Sequence, residues 1–169
     1  MITLEAPHQR WHHALVDFLD GYDRDHVDGL SSPDGRPCGL ADPLVFAAWV
    51  HAQLEHEAGH DVPEGRVACT SRWIVRDGAV VGTINLRHSL NDLLLEQGGH
   101  IGYAVHPRER GRGIATAALR LMLAEAARLG VNPVLVTCAQ TNLASTQVIT
   151  KAGGVLADIR GGFRRHWIR

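Results

Sequence analysis

The residues with the clearest capacity for chemistry lie together in residues 100–116, which read HIGYAVHPRERGRGIAT. The apolar run from Ile101 to Val105 is followed by a proline, a basic glycine-rich segment and then a segment rich in alanine and leucine. This order predicts a strand, a turn with free backbone N–H groups and the N-terminus of a helix. Because such turns and helix N-termini attract anions, we expect a phosphate-binding loop here.

Two widespread phosphate-binding patterns fit this loop poorly. A nucleotide P-loop requires GxxxxGK[ST], and no lysine follows Gly111 or Gly113. A dinucleotide-binding fingerprint requires GxGxxG, but Thr116 occupies the third glycine position. The strand predicted next, residues 134–138, also ends without the carboxylate that would bind a ribose. The first pattern is therefore absent and the second is incomplete.

The loop resembles motif A of the GNAT superfamily of acyl-CoA-dependent N-acyltransferases, written [RQ]-x-x-G-x-[GA]. Two registers match, one over residues 108–113 and one over residues 110–115. We prefer the second register, because it leaves enough chain after Val105 for the turn and places Ala115 in the first turn of the helix. The resemblance implies that acetyl-CoA is the co-substrate, that no metal is needed and that the CoA diphosphate binds at this loop.

The resemblance continues from the predicted hairpin to the C-terminus. The segments RHSLND, GGHIGY, VTC and NLAS are similar to a bacterial group of predicted acetyltransferases. In this superfamily two neighbouring strands, here residues 103–105 and 134–138, splay apart. The first pairs with the pantetheine arm of CoA, and its N–H groups polarise the thioester carbonyl. The cofactor-binding residues that the resemblance implies are Tyr103, Ala104, Val105, Arg110, Gly111, Arg112, Gly113, Ile114, Ala115, Thr116, Asn142 and Ser145.

The catalytic groups depart from the usual pattern of the superfamily. An alkyl ammonium has a pKa near ~10, so a proton must be removed before the amine attacks a thioester. Many superfamily members carry a glutamate at the start of the splayed strand; here the candidate base is His100, with His88 in reserve. The tyrosine that often protonates the leaving thiolate is replaced by Ile149. We therefore expect Tyr103, a bound water or solvent to supply that proton.

The acceptor is expected to be a small-molecule or peptide amine. Residues 20–34 hold five aspartates and one arginine. In the resembled fold the first two helices and their connection border the acceptor site, so this acidic segment favours a cationic acceptor; a solvated loop without that role is the simpler alternative. The predicted function is transfer of an acetyl group to a primary amine by direct attack in a ternary complex. Because the usual tyrosine is missing, an acyl-CoA-binding sensor without turnover is the alternative.

A second motif belongs to another enzyme class. Residues 56–60 spell H-E-x-x-H, a zinc-binding pattern of metallohydrolases. Gly59 and the D-V-P that follows the motif indicate that the helix ends there, and no third ligand stands at a recognised spacing. We therefore prefer a solvated helix end. Cys138 lies in an apolar segment, so we expect a buried inert thiol rather than an acyl carrier.

A mixed α/β framework is expected to position these residues. Asp77-Gly78 predicts a hairpin turn, Asp42-Pro43 a helix start and Gly130 a helix end. The helix after the glycine-rich segment is apolar almost all round, which predicts that most of its surface is covered. The resemblance implies a central, mostly antiparallel twisted sheet with splayed central strands, flanked by helices. The predicted strands are 2–5, 67–76, 79–88, 101–105, 134–138 and a last one around 166–168; the predicted helices are 9–22, 44–59, 113–129 and 142–152, with a helical turn or loop over 89–97.

Composition limits the remaining possibilities. The 169 residues include 17 Lys and Arg against 18 Asp and Glu, a net charge of −1, so no basic field attracts nucleic acid or an anionic membrane. Three cysteines without a CxxC pair argue against a disulfide scaffold. The sequence shows neither a signal-peptide core nor a run of ~18 apolar residues. We expect one domain over residues 1–169, cytoplasmic, as a monomer or homodimer.

Overall fold

The computed structural model describes residues 1–20, 27–30 and 39–169. Short 3₁₀ turns lie at Gln9–Trp11 and Pro107–Glu109. The strands are β1 (Ile2–Glu5), β2 (Cys69–Arg76), β3 (Ala79–Arg87), β4 (Ile101–Val105), β5 (Val134–Ala139), β6 (Val155–Arg160) and β7 (Phe163–Ile168). The helices are α1 (His12–Asp20), α2 (Pro43–Glu57), α3 (Asp92–Glu96), α4 (Ile114–Arg128) and α5 (Leu143–Lys151).

Two antiparallel sheets meet at the start of β4. One has the order β1-β2-β3-β4 and the other the order β5-β7-β6. The His100 N–H donates to the Leu135 carbonyl at 2.7 Å, and the Gly98 N–H donates to Thr137 Oγ1 at 2.8 Å. Among the described residues, the backbone bonds between the two sheets are confined to this junction, so β4 and β5 separate beyond it. The predicted mixed α/β class, with antiparallel sheets flanked by helices, is confirmed.

The hairpin of β2 and β3 forms where the sequence predicts it. Asp77 and Gly78 have φ angles of 52° and 84°, the left-handed pair that a two-residue hairpin turn requires. Arg76 and Ala79 face each other across the turn. Almost every residue of β3 is buried, because the strand lies between β2 and β4 and is covered on both faces. This strand supplies one side of the ladder that positions β4.

The helix ends follow local capping rules. Asp42 Oδ1 accepts hydrogen bonds from the N–H groups of Leu44 and Val45 at 2.8 and 3.2 Å, with Pro43 as the first helical residue of α2. Gly130 has φ 75° and ends α4. The predicted first helix, residues 9–22, begins as a 3₁₀ turn and continues as α1; its predicted last two residues lie outside the described part of the chain.

Ten of the fifteen positions of α4 are buried or half-buried, as expected, although Leu121 is 42% exposed. Two other expectations about the second half of the chain are wrong. The C-terminal strand is a hairpin of β6 and β7 around Gly161-Gly162, and β6 escaped prediction because most of its side chains are exposed and show no alternation. Strand β5 is an edge strand by its pairing rather than central, although it is largely buried.

The core consists of two clusters on the two faces of the β1–β4 sheet. One contains the buried face of α4 together with β3, β4 and β5, and includes Leu119, Met122 and Val136. The other lies under α1 and α2 and includes Phe18, Phe46 and Trp73. Among the described residues, no helix is both long and apolar enough to cross a membrane.

Candidate active site

A cavity of about 680 Å³ lies between the end of β4, the loop of residues 106–113 (the glycine loop) and α5. It opens where β4 and β5 separate. Eleven of the twelve predicted cofactor-binding residues line it, and Arg112 does not. The lining residues are Asp28, Tyr103, Ala104, Val105, Glu109, Arg110, Gly111, Gly113, Ile114, Ala115, Thr116, Thr141, Asn142, Ala144, Ser145, Gln147, Val148 and Lys151.

The glycine loop delivers unpaired backbone N–H groups to the cavity. Gly111 and Gly113 both have φ 75°, a conformation that favours glycine. Gly113 caps α4 without a side-chain hydrogen bond, and the first intrahelical bond runs from the Ala117 N–H to the Gly113 carbonyl. The N–H groups of the first helical turn therefore lack a helical acceptor, and together with the helix dipole they favour an anion. A Cβ at either glycine would meet no protein atom within 4 Å, so the space beside the backbone is open.

The arginines of the loop have different roles. Arg110 lines the cavity, and its Nε donates to the Val105 carbonyl at 3.1 Å, which ties the loop to the end of β4. Arg112 does not line the cavity: its Nη1 lies 3.3 Å from Glu109 Oε2, and the same carboxylate pairs with Arg76 Nη1 at 2.7 Å. The structure does not place Arg112 where the prediction needed it, because Glu109 and β2 fix its direction.

The edge of β4 that faces away from β3 borders the cavity. Tyr103 and Ala104 pair with Ile84 and Thr83 of β3, so the other edge of the strand lies on the side where β5 has moved away. Such an edge offers backbone donors and acceptors to an extended ligand. The cavity thus joins a strand edge to a helix N-terminus through one continuous segment of chain.

The Tyr103 hydroxyl is buried at the strand end of the cavity. Among the described residues it has no hydrogen bond of good geometry, although Ser145 lies close enough to favour its ionised form slightly. Burial dominates and raises the pKa of Tyr103 to about 12, so the phenol is protonated at neutral pH. A thiol with a pKa near ~8.5 is a stronger acid, which makes Tyr103 a hydrogen-bond donor to a thiolate rather than a source of its proton.

His100 lies at the junction of the sheets and not in the cavity lining. Its Nδ1 accepts a hydrogen bond from the Leu135 N–H at 2.8 Å, and its ring meets Trp167 edge-on, with 6.4 Å between centroids. The side chain is only 7% exposed; burial and the charge of Arg87 both lower the pKa of the imidazole. This placement favours a neutral structural histidine over the predicted general base.

The reserve candidate His88 is also outside the cavity lining. Its Nε2 lies 2.8 Å from Thr70 Oγ1, and burial lowers the pKa of its imidazole. Ile149, which stands where many superfamily members carry the acidic tyrosine, is fully buried in the core. A side chain at Gly154 would come within 2.5 Å of Ile149 Cγ2, so the two positions are coupled by packing.

The N-terminus of α5 forms the wall opposite the glycine loop. Asn142 Oδ1 accepts from the Ser145 N–H at 3.0 Å and caps the helix. Both residues line the cavity. Cys138 lies behind this wall, 7% exposed, with its Sγ 3.5 Å from Thr146 Oγ1. It does not line the cavity, in keeping with the expected inert thiol.

Asp28, one of the five aspartates of the acidic segment, lines the cavity. Thr83 Oγ1 donates to its backbone carbonyl at 2.8 Å. The next residue, Gly29, has φ 78°, and a Cβ there would lie 2.8 Å from the Gly102 carbonyl, so the chain rests directly on the backbone of β3 and β4. In the sequence, Asp28 is followed directly by a glycine, as Asp20 and Asp34 also are, and the glycine after Asp28 takes part in this contact. Of the other aspartates in that segment, Asp20 ends α1 and the rest lie outside the described residues.

The H-E-x-x-H segment is engaged in other contacts. Helix α2 ends at Glu57, so His60 lies beyond it, with its Nδ1 3.3 Å from Glu55 Oε2. The Glu57 carboxylate accepts two hydrogen bonds from Arg72, at 2.8 and 2.6 Å. Across the described residues, no group of three or more His, Cys, Asp or Glu side chains could hold a metal ion.

Comparisons with known proteins agree with this geometry. A sequence search of curated proteins finds no match, whereas the family model of the acetyltransferase (GNAT) domain matches residues 40–155. The fold is similar to that of microcin C7 self-immunity acetyltransferase MccE with acetyl-CoA and AMP, at 15% identity and a TM-score of 0.65 over 98% of this chain and 90% of that one. It is also similar to the ribosomal L7/L12 α-N-protein acetyltransferase RimL with coenzyme A, at 17% identity and a TM-score of 0.65 over 99% of this chain and 93% of that one. A third similar structure is the putative acetyltransferase yncA of Salmonella typhimurium with acetyl-CoA, at 14% identity and a TM-score of 0.62 over 99% of this chain and 93% of that one. The chain belongs to the GNAT acetyltransferase family, whose members use acetyl-CoA as co-substrate.

Proposed function

We propose that this acetyltransferase moves the acetyl group of acetyl-CoA to a primary amine by direct attack within a ternary complex. The observation that carries the proposal is the cavity that joins the free edge of β4 to the N-terminus of α4. A long ligand with an extended amide-containing arm and a diphosphate matches these two features in the order in which the chain presents them. The residues that would hold it are Tyr103 to Val105 along the arm and Gly111 to Thr116 at the diphosphate.

The diphosphate end of the cavity suits a double anion. The N–H groups at the start of α4 lack helical acceptors, and the helix dipole adds about 0.3–1 kcal/mol for an anion at this position. Hydrogen bonds to a charged group contribute about 1.5–3 kcal/mol each. Arg110 adds positive charge beside the loop without blocking it, because its Nε is held by Val105. These terms favour tight binding of CoA in a chain whose net charge is near zero.

The acetyl transfer needs a few groups at the strand end. The amine nitrogen forms a bond to the carbonyl carbon while the carbon–sulfur bond breaks and the thiolate leaves. Backbone N–H groups on β4 would polarise the carbonyl oxygen. We assign to Tyr103 a hydrogen bond to the departing sulfur, and to His100 the role of holding β4 against β5 rather than removing a proton. The amine proton then passes to water in the cavity.

The acceptor is proposed to be a cationic amine that Asp28 attracts. Asp28 is exposed, lines the cavity beside Gly102 to Ala104 and stands close enough to Tyr103 to raise the pKa of that phenol further. A carboxylate there would hold an ammonium group near the thioester until it loses its proton. Polyamines, aminoglycoside-like molecules and lysine side chains or N-termini of peptides share this chemistry.

An acceptor screen tests the proposed activity. The purified protein is incubated with acetyl-CoA and, in turn, spermidine, tyramine, an aminoglycoside and a lysine-containing peptide, and released thiol is measured. We expect thiol release above the hydrolysis background with at least one amine, together with a product heavier by one acetyl group. Binding of acetyl-CoA without thiol release for any amine would favour a sensor without turnover, and failure to bind acetyl-CoA would refute both.

A further inference from the structure

Lys151, the last residue of α5, contributes an ammonium group to the cavity that no step above uses. The charged side chains in the lining are Asp28, Glu109, Arg110 and Lys151. Glu109 is paired with two arginines, and Arg110 is bonded to the end of β4. Lys151 is exposed, and among the described residues it forms no ion pair. A lysine in this position is a point charge available to a ligand anion.

The position of Lys151 along α5 sets it far from the reacting end. Ser145 lies beside Tyr103, and Lys151 follows it by six residues, which corresponds to about 9 Å along the helix axis. A contact with α4 shows a similar offset along that helix. Arg120 Nη2 donates to the Lys151 carbonyl at 2.7 Å, and Arg120 lies six residues after Ile114, the first residue of α4. Lys151 therefore lies beside the second turn of α4, about 9 Å along α5 from the residue that neighbours Tyr103.

The order of features along the cavity matches the order of groups in CoA. The strand edge comes first, the N-terminus of α4 second and Lys151 third. The corresponding groups of CoA are the pantetheine arm, the diphosphate and the 3′-phosphorylated adenosine. We propose that Lys151 binds the 3′-phosphate and so makes the enzyme prefer CoA to dephospho-CoA, which lacks this group. The inference rests on the proposed use of this cavity for acetyl-CoA.

Two other arginines of the described residues near this end of the cavity are held by protein groups. Arg112 is paired with Glu109, and Arg120 donates to the Lys151 carbonyl. The N–H groups at the start of α4 lie where the diphosphate binds. An exposed ion pair of this kind contributes up to about 1 kcal/mol, which corresponds to about a fivefold preference.

Calorimetric titration of the full chain with CoA and with dephospho-CoA tests the assignment. We expect wild type to bind CoA about fivefold more tightly, Lys151→Met to bind both ligands equally with the lower affinity, and Lys151→Arg to retain the preference. Arg128→Met is the matched control, because it removes one exposed positive charge from α4 outside the cavity and should leave the preference unchanged.

Three results would overturn the inference. Equal binding of the two ligands by wild type would show that no group of the protein binds the 3′-phosphate. An undiminished preference for CoA in Lys151→Met would show that another residue binds it. In both cases CoA still binds and the proposed function stands. If wild type bound neither ligand, the proposed function would fail and this inference with it.

Discussion

Replacing Gly113 by valine separates phosphate binding from folding. Gly113 has φ 75°, and a β-branched residue in that conformation costs about 1–2 kcal/mol. No protein atom lies within 4 Å of the added Cβ, so steric overlap adds nothing to this cost. For a chain of this length we expect a fall in melting temperature of about 2–8 °C.

The same substitution should damage CoA binding far more than stability. The valine side chain would occupy the open space beside the loop and keep an anion away from the N–H groups of α4. Loss of one charge-assisted hydrogen bond corresponds to about 1.5–3 kcal/mol, or roughly tenfold to 150-fold in affinity. Calorimetric titration with CoA measures this loss, and thermal unfolding without ligand measures the cost to the fold.

Gly130 at the other end of α4 offers a matched control. It also has φ 75°, a Cβ added there would meet no atom within 4 Å, and it lies outside the cavity. Gly130→Val should lose a similar amount of stability and keep the affinity for CoA. Equal CoA affinity in the two variants would refute the assignment of Gly113 to the phosphate site.

Three further substitutions test the other end of the cavity. Tyr103→Phe should lower kcat by up to about tenfold without reducing stability, because the buried hydroxyl has no good partner in the described structure; a large rise in the KM for acetyl-CoA would contradict this. His100→Asn should weaken the pH dependence of stability. Because the pKa of His100 is lowered in the folded state, wild type loses stability as the pH falls below ~6.5 toward that pKa. A urea-unfolding profile between pH 7.5 and 5 that is the same in the variant and wild type would contradict the structural role of His100 beside Leu135. Asp28→Asn should raise the KM of a cationic acceptor about fivefold and leave that of acetyl-CoA unchanged, whereas the exposed control Asp17→Asn should change neither; equal effects of the two would count against an ammonium site.

Features that depend on neighbours in the chain were predictable. The hairpin follows from Asp77-Gly78, because its turn needs two residues that tolerate positive φ. The starts of α2 and α5 follow from Asp42 and Asn142, whose side chains accept from N–H groups two or three residues away. Strand β6 was not predictable in this way, because an edge strand exposed on both faces carries no alternation of apolar and polar residues.

The half of the cavity formed by the glycine loop was likewise within reach of the sequence. A strand, a glycine-rich turn and a helix that follow each other directly can bring residues 103–116 to one place without help from the rest of the chain. Arg112 is the exception, and its reason is tertiary: Glu109 holds it and is itself fixed by Arg76 on β2. The positions of the arginines are visible in the sequence, but the carboxylates with which they pair are not.

The sequence by itself determined the family, the glycine loop and the strand that leads into it, since these depend on short-range order and on residues with special backbone freedom. Only the tertiary structure decided what the remaining polar groups do. Asp28 reaches the cavity because Gly29 rests on β3 and β4, His100 is occupied by Leu135, and Lys151 is set beside α4 by Arg120. Each of these partners lies more than thirty residues away in the chain. Spacing along a sequence does not reveal such contacts, because they form only when separate elements pack together.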